Sequence, residues 1–98
     1  MKLKIRVRRR AEAELFLAQD WYDDQQEGLG SRFREAVDLT LDRAAERPLI
    51  YAVVHQDIRR ALVPRFPYIL YFVVRRPNLI VLACLNASED PAKIPRSA

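Results

Sequence analysis

Few side chains in this sequence are reactive enough to carry chemistry on their own. His55 is the only histidine, and histidine exchanges protons most readily near neutral pH, so it is the sole ordinary candidate for proton transfer. Its position between Val54 and Gln56, in a predicted hairpin turn, is more typical of an exposed turn residue. Cys84 is the only cysteine. It lies in the apolar run LIVLACL without a partner base, which predicts a buried thiol and not a nucleophile.

The remaining candidates are cationic or aromatic, namely Arg59, Arg60, Arg65 and Tyr68. A guanidinium group binds phosphate or carboxylate well, but it stays protonated and is therefore a poor general base. These arginines are suited to holding an anion and not to taking its proton. No set of histidines and cysteines has the spacing of a zinc site, and the sequence predicts neither a metal nor a cofactor.

Length and charge limit the classes of protein to consider. The chain has 98 residues and a formal net charge of +4, so we expect a single domain over residues 1–98 and exclude a two-domain enzyme. Basic residues concentrate between Lys2 and Arg10, and acidic residues between Asp20 and Glu27. This segregation favours a binding surface for nucleic acid or an acidic protein. The single cysteine and the lack of a long apolar run predict a cytoplasmic protein with no membrane segment.

The first half of the chain predicts one strand and two helices. Leu3, Ile5 and Val7 alternate with basic residues, as in a strand with one buried face. From about Arg9 the period changes to that of a helix. The apolar stripe of the first helix comprises Ala11, Leu15, Ala18 and Tyr22, and that of the second comprises Leu29, Phe33, Val37, Leu41 and Ala44. Gly28 and Gly30 predict a tight link between the helices, and Pro48 ends the second helix.

The second half predicts an antiparallel meander of strands. Short runs of β-branched and aromatic residues are separated by turns short enough for hairpins. The predicted strands are Tyr51 to Val54, Ile58 to Val63, Tyr68 to Val74 and Leu79 to Leu85, followed by a polar tail or short turn over residues 86–98. The last two strands lack clean alternation, which predicts central strands covered by the helices on one face and partly covered on the other. The predicted fold is α+β, a helical hairpin packed on a twisted antiparallel β-sheet meander, with the N-terminal strand inserted in that sheet.

Strand parity places the basic side chains on opposite faces of the sheet. Ile58, Arg60 and Leu62 share one face of their strand, and Arg59 occupies the other. With Ile58 and Leu62 packed under the helices, Arg59 and Arg65 would lie on the open face, away from the helices. By the same parity Tyr68 and Tyr71 lie on opposite faces, so at most one of them belongs to a site.

The first helix is apolar well beyond its packing stripe, which indicates a second neighbour. Leu17 and Trp21 lie about 80–120° from the stripe, and Phe16 lies roughly on its far side. Two interpretations remain open. Trp21 could cap the hairpin core and Phe16 touch the sheet edge, or these side chains could form a contact surface for a helical partner. The candidate partner-binding residues are Phe16, Leu17, Trp21 and Arg60.

Four strings of sequence carry a resemblance to a known family. They are AEAELFLAQDWYDDQQEGLGSRFREAV, RPLIY, IRRALVPRFPYILYFV and LIVLACL, and they extend from about Ala11 to Leu85. In combination they resemble the RelE/ParE superfamily of bacterial type II toxins. The resemblance implies a toxin in a plasmid-stabilization type of toxin-antitoxin system, which inhibits growth and is silenced by an acidic antitoxin that wraps it. In the RelE branch the toxin cuts mRNA in the ribosomal A site, and in the ParE branch it poisons DNA gyrase.

The resemblance also implies where an RNA-cleaving site would lie. Arg59 falls where a basic residue is expected, but Ala61 stands at a second basic position and Tyr68 where an arginine is common. The catalytic candidates are therefore Arg59, Arg65 and Tyr68. Many relatives finish with a pattern of the kind His-x-x-Arg-x-Pro, and here Asn86 and Glu89 stand in place of the histidine and the arginine.

The missing groups favour a ParE-like or otherwise non-nucleolytic growth inhibitor, with DNA gyrase as the implied target, and therefore a protein that is not an enzyme. Two alternatives stay open. One is a RelE-like, ribosome-dependent mRNA interferase, for which proton transfer would fall to other groups. The other is a degenerate toxin that acts only as a binding module.

Overall fold

The computed structural model describes residues 2–98, which form two α-helices and five strands. The elements in chain order are β1 (Lys4–Val7), α1 (Arg9–Gln25), α2 (Leu29–Glu46), β2 (Val53–His55), β3 (Ile58–Leu62), β4 (Tyr68–Arg75) and β5 (Asn78–Asn86), with short 3₁₀ turns at Pro48–Ile50 and Pro91–Lys93. None of the helices in this part of the chain combines the length and the apolar character that a bilayer span requires. The α+β class with a helical hairpin is confirmed.

The five strands form one mixed sheet in the order β1-β5-β4-β3-β2. The strands β2 to β5 pair antiparallel, as the short predicted turns require. β1 instead runs parallel to β5, with Ile5 opposite Leu79, and lies at the edge of the sheet. The sequence predicts a fully antiparallel sheet with β1 inserted in it. That prediction was wrong for β1, which is a parallel strand at the edge. The other edge strand is shorter than predicted, because the 3₁₀ turn delays the start of β2 to Val53.

The link between the two helices depends on its glycines. Gly28 has a φ of 84° in the left-handed region, which a glycine adopts without a steric penalty. Gly30 packs so closely on α1 that an added Cβ would lie 2.5 Å from the carbonyl oxygen of Gln19. Its backbone N–H donates to Oδ1 of Asp23 at 2.8 Å. These contacts hold α1 and α2 as the hairpin that the sequence predicts.

The main core lies between this hairpin and one face of the sheet, the helix-side face, which carries Ala61, Leu70, Phe72 and Val81. The helices contribute the residues of the two predicted stripes that are fully buried: Ala11, Leu15, Ala18 and Tyr22 from α1, and Phe33, Val37, Leu41 and Ala44 from α2. Both helical faces are confirmed. β4 and β5 are the most buried strands, in agreement with their unbroken apolar runs.

The opposite, open face of the sheet carries a second apolar cluster. Its members are Ile58, Ile69, Tyr71, Val73, Leu82, Ala83 and Leu85. Ile94 packs on this cluster, and Pro95 beside it is buried. The segment after β5 is therefore more than a polar tail, since it covers part of the open face. The prediction of a partly covered second face is confirmed.

Candidate functional site

Arg59 does not lie on the open face. It is paired with Phe72, whose side chain belongs to the core under the helices. Its Nη1 donates a hydrogen bond to the carbonyl oxygen of Tyr51 at 2.7 Å, and the side chain is half-buried. The predicted face was wrong because Ile58 packs in the open-face cluster, while Leu62 is 64% exposed. The side of β3 that carries Ile58 and Leu62 thus faces away from the helices.

Arg60 takes the place on the open face that the sequence assigned to Arg59. It lies opposite Tyr71 in the β3–β4 ladder and is exposed. Burial raises the pKa of the Tyr71 hydroxyl, and the nearby Arg60 guanidinium acts in the opposite direction. A protonated Tyr71 beside a fixed positive charge can bind an anion, but it offers no base for proton removal.

Tyr68 is part of an aromatic cluster on the helix-side face. Its ring centroid lies 5.1 Å from that of Phe33 and 6.0 Å from that of Tyr22, and Phe66 completes the group. These edge-to-face contacts are typical of core packing. Tyr68 and Tyr71 lie on opposite faces, as their parity predicts.

The three catalytic candidates are not brought together. Arg59 lies opposite Phe72, four residues along β4 from Tyr68, which at about 3.3 Å per residue is about 13 Å. Arg65 does not lie on the open face either, since it is exposed in the turn between β3 and β4, with a φ of 70°, and lines a groove with residues of α2. Arg59 is therefore separated from Tyr68 along the sheet. Within residues 2–98, no group of three histidine, cysteine, aspartate or glutamate side chains gathers as a metal site would need.

The candidate base His55 is exposed, whereas the candidate nucleophile Cys84 is buried. His55 ends β2 and is exposed, as predicted. Cys84 is 2% exposed, and burial, with a smaller contribution from Glu14, raises the pKa of its thiol to about 12. The thiol is therefore protonated and inaccessible at neutral pH, which confirms its prediction as a buried apolar residue.

The segment that replaces the His-x-x-Arg-x-Pro pattern forms a local turn. Oδ1 of Asn86 accepts hydrogen bonds from the backbone N–H and the hydroxyl of Ser88, at 2.9 and 2.7 Å. Glu89 pairs with Lys93 at 2.9 Å and raises the pKa of that ammonium group. Both side chains thus stabilise the turn before Ile94, and neither supplies a cation for a phosphate.

One contact that the sequence analysis missed seals the edge of β5. β1 ends its pairing at Val81, and further along β5 the N–H of Cys84 donates to Oε1 of Glu14 at 2.9 Å. Oε2 of Glu14 pairs with Arg10, whose guanidinium also donates to the carbonyl oxygen of Lys93. The sequence did contain a signal for this contact, because Glu14 is a carboxylate that lies between the buried positions Ala11 and Leu15 of α1.

An apolar surface remains open on α1. Phe16, Leu17 and Trp21 are 65%, 69% and 56% exposed. Phe16 and Leu17 line a groove of about 670 Å³ with Val7 and Arg9 at the end of β1. We call these three side chains and that groove the α1 surface. Trp21 also touches Tyr22 edge-on, with ring centroids 5.1 Å apart. Arg60, on the open face, does not belong to this surface.

The two arginines of β3 should differ in their effect on stability. Arg59→Glu is expected to lower the free energy of unfolding by about 1–3 kcal/mol, because it removes a half-buried donor and places a carboxylate near the carbonyl oxygen of Tyr51. Arg60→Glu, at an exposed position, should change it by no more than about 0.5 kcal/mol. Urea denaturation of both variants measures the difference. Equal losses would contradict the assignment of faces.

Comparison with solved structures finds the same fold in another protein. A chain from a structure titled "Chromosomal ParDE TA system from P. aeruginosa" superposes with a TM-score of 0.75 at 15% sequence identity, over 87% of this chain and 96% of that chain. The two chains share one fold. No family model matches the sequence, and no curated protein matches it either.

Proposed function

We propose that this protein is the toxin of a bacterial type II toxin-antitoxin pair, that it acts in the cytoplasm and inhibits growth, and that a cognate antitoxin neutralises it. The observation that carries the proposal is the shared fold with a chain of a ParDE toxin-antitoxin structure, over nearly the full length of both chains. The motifs quoted above support the same assignment independently of the fold.

The α1 surface supports the presence of a protein partner. Three large apolar side chains on one helix remain more than half exposed, next to a groove that is lined by one basic and one acidic residue, Arg9 and Glu12. Exposed apolar clusters with a polar border are typical of protein interfaces. The net charge of +4 favours an acidic partner.

Within this function, the geometry favours an inhibitor that does not cut RNA, with DNA gyrase as the target we propose. Arg59 is bound to a backbone carbonyl, Tyr68 is packed among aromatic rings, and Asn86 and Glu89 are occupied in a turn. A cleaving site would need a base, an acid and a cation within reach of one phosphate. Neither the three catalytic candidates nor Asn86 and Glu89 form such a set.

Induced expression in a bacterial host tests the proposal. We expect growth arrest, relief of the arrest when the protein encoded by the adjacent gene is co-expressed, and inhibition of gyrase in a supercoiling assay. Cleavage of ribosome-bound mRNA, detected by toeprinting, would favour the interferase instead. A stable complex with the adjacent gene product without any growth arrest would identify a binding module.

Truncation of Phe16 should separate binding from folding. Phe16→Ala is expected to weaken antitoxin binding by about 2 kcal/mol, as for an aromatic anchor at the centre of an interface. The melting temperature should hardly move, because the side chain is 65% exposed. Calorimetric titration with the antitoxin measures the first quantity and thermal denaturation the second. Unchanged affinity would remove Phe16 from the interface.

A further inference from the structure

A second groove, of about 880 Å³, lies between α2 and the turn that joins β3 to β4. The residues of α2 that line it include Arg32, Ala36, Leu39 and Arg43. These positions follow one another at intervals of three or four residues and therefore form a single stripe along the helix. The stripe is about 16 Å long at 1.5 Å per residue. It is basic at both ends and small or apolar between them.

The opposite wall is the β3–β4 turn, which contributes Arg65 and Phe66. Arg65 has a φ of 70°, a conformation that costs free energy for any residue with a Cβ. The Arg65 side chain is exposed on this wall of the groove. Leu39 is 50% exposed in the groove, and the aromatic ring of Phe66 is half-buried beside it.

The arginines of the groove are free to bind. Among residues 2–98, the side chains of Arg32, Arg43 and Arg65 take part in none of the five ion pairs and in none of the side-chain hydrogen bonds. Glu35 is the one acidic residue in the lining. The border of the groove is therefore positive, and its middle is apolar.

We propose that this groove binds an acidic amphipathic helix, whose apolar face packs on Ala36, Leu39 and Phe66. Carboxylates about three helical turns apart pair with Arg32 and Arg43, and a further carboxylate pairs with Arg65. Ala36 allows the close approach of a second helix, since helix axes in contact lie about 8–10 Å apart. The apolar middle favours a peptide over a nucleic acid, which would place its charge along the whole length. The identification of this helix as part of the antitoxin rests on the proposed function. The preference of the groove for an acidic amphipathic helix does not.

Fluorescence anisotropy with a labelled synthetic peptide tests the preference. The probe is a helical peptide of about sixteen residues. It carries two glutamates eleven positions apart and leucines between them on the same face. Its twin has lysines at the two glutamate positions. We expect the acidic peptide to bind and the twin to bind at least tenfold more weakly. Equal binding of the two peptides, or no binding of the acidic one, would overturn the proposal.

Variants of the protein test whether the acidic peptide binds in this groove. The triple variant Arg32→Gln, Arg43→Gln and Arg65→Gln should weaken binding at least tenfold. Arg34→Gln removes an arginine of α2 that pairs with Asp38 outside the groove, and it should leave binding unchanged. Arg65→Gly should weaken binding without lowering the melting temperature, because glycine relieves the left-handed backbone. Loss of stability with Arg65→Gly, or competition by a single-stranded oligonucleotide that binds more tightly than the peptide, would contradict the assignment.

A second measurement uses the protein encoded by the adjacent gene. Weaker binding of that protein to the triple variant than to the unmodified chain would support an antitoxin helix in the groove. Full binding to the triple variant would exclude the antitoxin as its occupant. If that protein does not bind the unmodified chain while the acidic peptide does, the toxin-antitoxin function fails and the groove assignment stands.

Discussion

Replacement of Phe33 with alanine is expected to lower the free energy of unfolding by about 3–5 kcal/mol. Phe33 is fully buried, and its ring centroid lies 5.1 to 5.3 Å from those of Tyr22, Phe66 and Tyr68. Truncation would leave a cavity at the point where α1, α2 and the β3–β4 turn meet. Because a domain of this size is stable by only about 5–15 kcal/mol, much of the protein would unfold at moderate urea concentrations.

Phe16→Ala is the matched control, since the same side chain is removed from a position that is 65% exposed. We expect it to change stability by no more than about 0.5 kcal/mol. Urea denaturation followed by tryptophan fluorescence reports on both variants, because Trp21 is the only tryptophan and touches Tyr22. A loss for Phe16→Ala as large as that for Phe33→Ala would mean that Phe16 is part of the core.

The second large effect concerns RNA cleavage. The unmodified protein is expected to leave mRNA intact on programmed ribosomes, because Asn86 and Glu89 bind within their own turn and provide no proton donor or phosphate-binding cation. Asn86→His combined with Glu89→Arg would introduce both groups. General acid-base assistance is worth about 10²–10⁴ in rate, so a gain of cleavage in the double variant should be readily detected by toeprinting.

Two controls accompany this experiment. Thermal denaturation of the double variant shows whether the loss of the Asn86–Ser88 and Glu89–Lys93 contacts has unfolded the turn. Asn86→Gln with Glu89→Gln breaks the same contacts and adds no catalytic group. A-site cleavage by the unmodified chain would contradict the non-nucleolytic interpretation and return the chemistry to Arg59, Arg65 and Tyr68, with proton transfer left to ribosomal groups or water.

The sequence predicted the helical faces well, because each helix is covered on one side only. Ala11, Leu15 and Tyr22 follow the helical period and are buried on the side of the sheet. The face of β3 could not be predicted in the same way. Both faces of this sheet carry apolar clusters, so the alternation of Ile58, Arg60 and Leu62 does not tell which face meets the helices. A period of two shows which residues of a strand share a face, but it does not show which face of the sheet they occupy.

Other features had little or no local signal. The alternation in β1 predicts a strand, but it contains no information on the parallel pairing with β5. The left-handed backbone at Arg65 lies at a residue type that seldom adopts it. Ile94 is the one large apolar side chain in a mostly polar segment, and the apolar cluster of the open face explains why it is partly buried. The groove beside α2 depends on the approach of the β3–β4 turn, which is a tertiary contact.

The parallel pairing of β1 with β5 also limits the order in which the molecule can assemble. Lys4 lies opposite Asn78 in that ladder, so the first strand has no partner until the last strand has been synthesised. Contacts between residues so far apart in the chain cost loop-closure entropy before they contribute any stabilisation, which slows folding. The helical hairpin, formed from neighbouring residues, can form much earlier. During translation the Phe16, Leu17 and Trp21 side chains of α1 are therefore synthesised and accessible before β5 exists to complete the sheet.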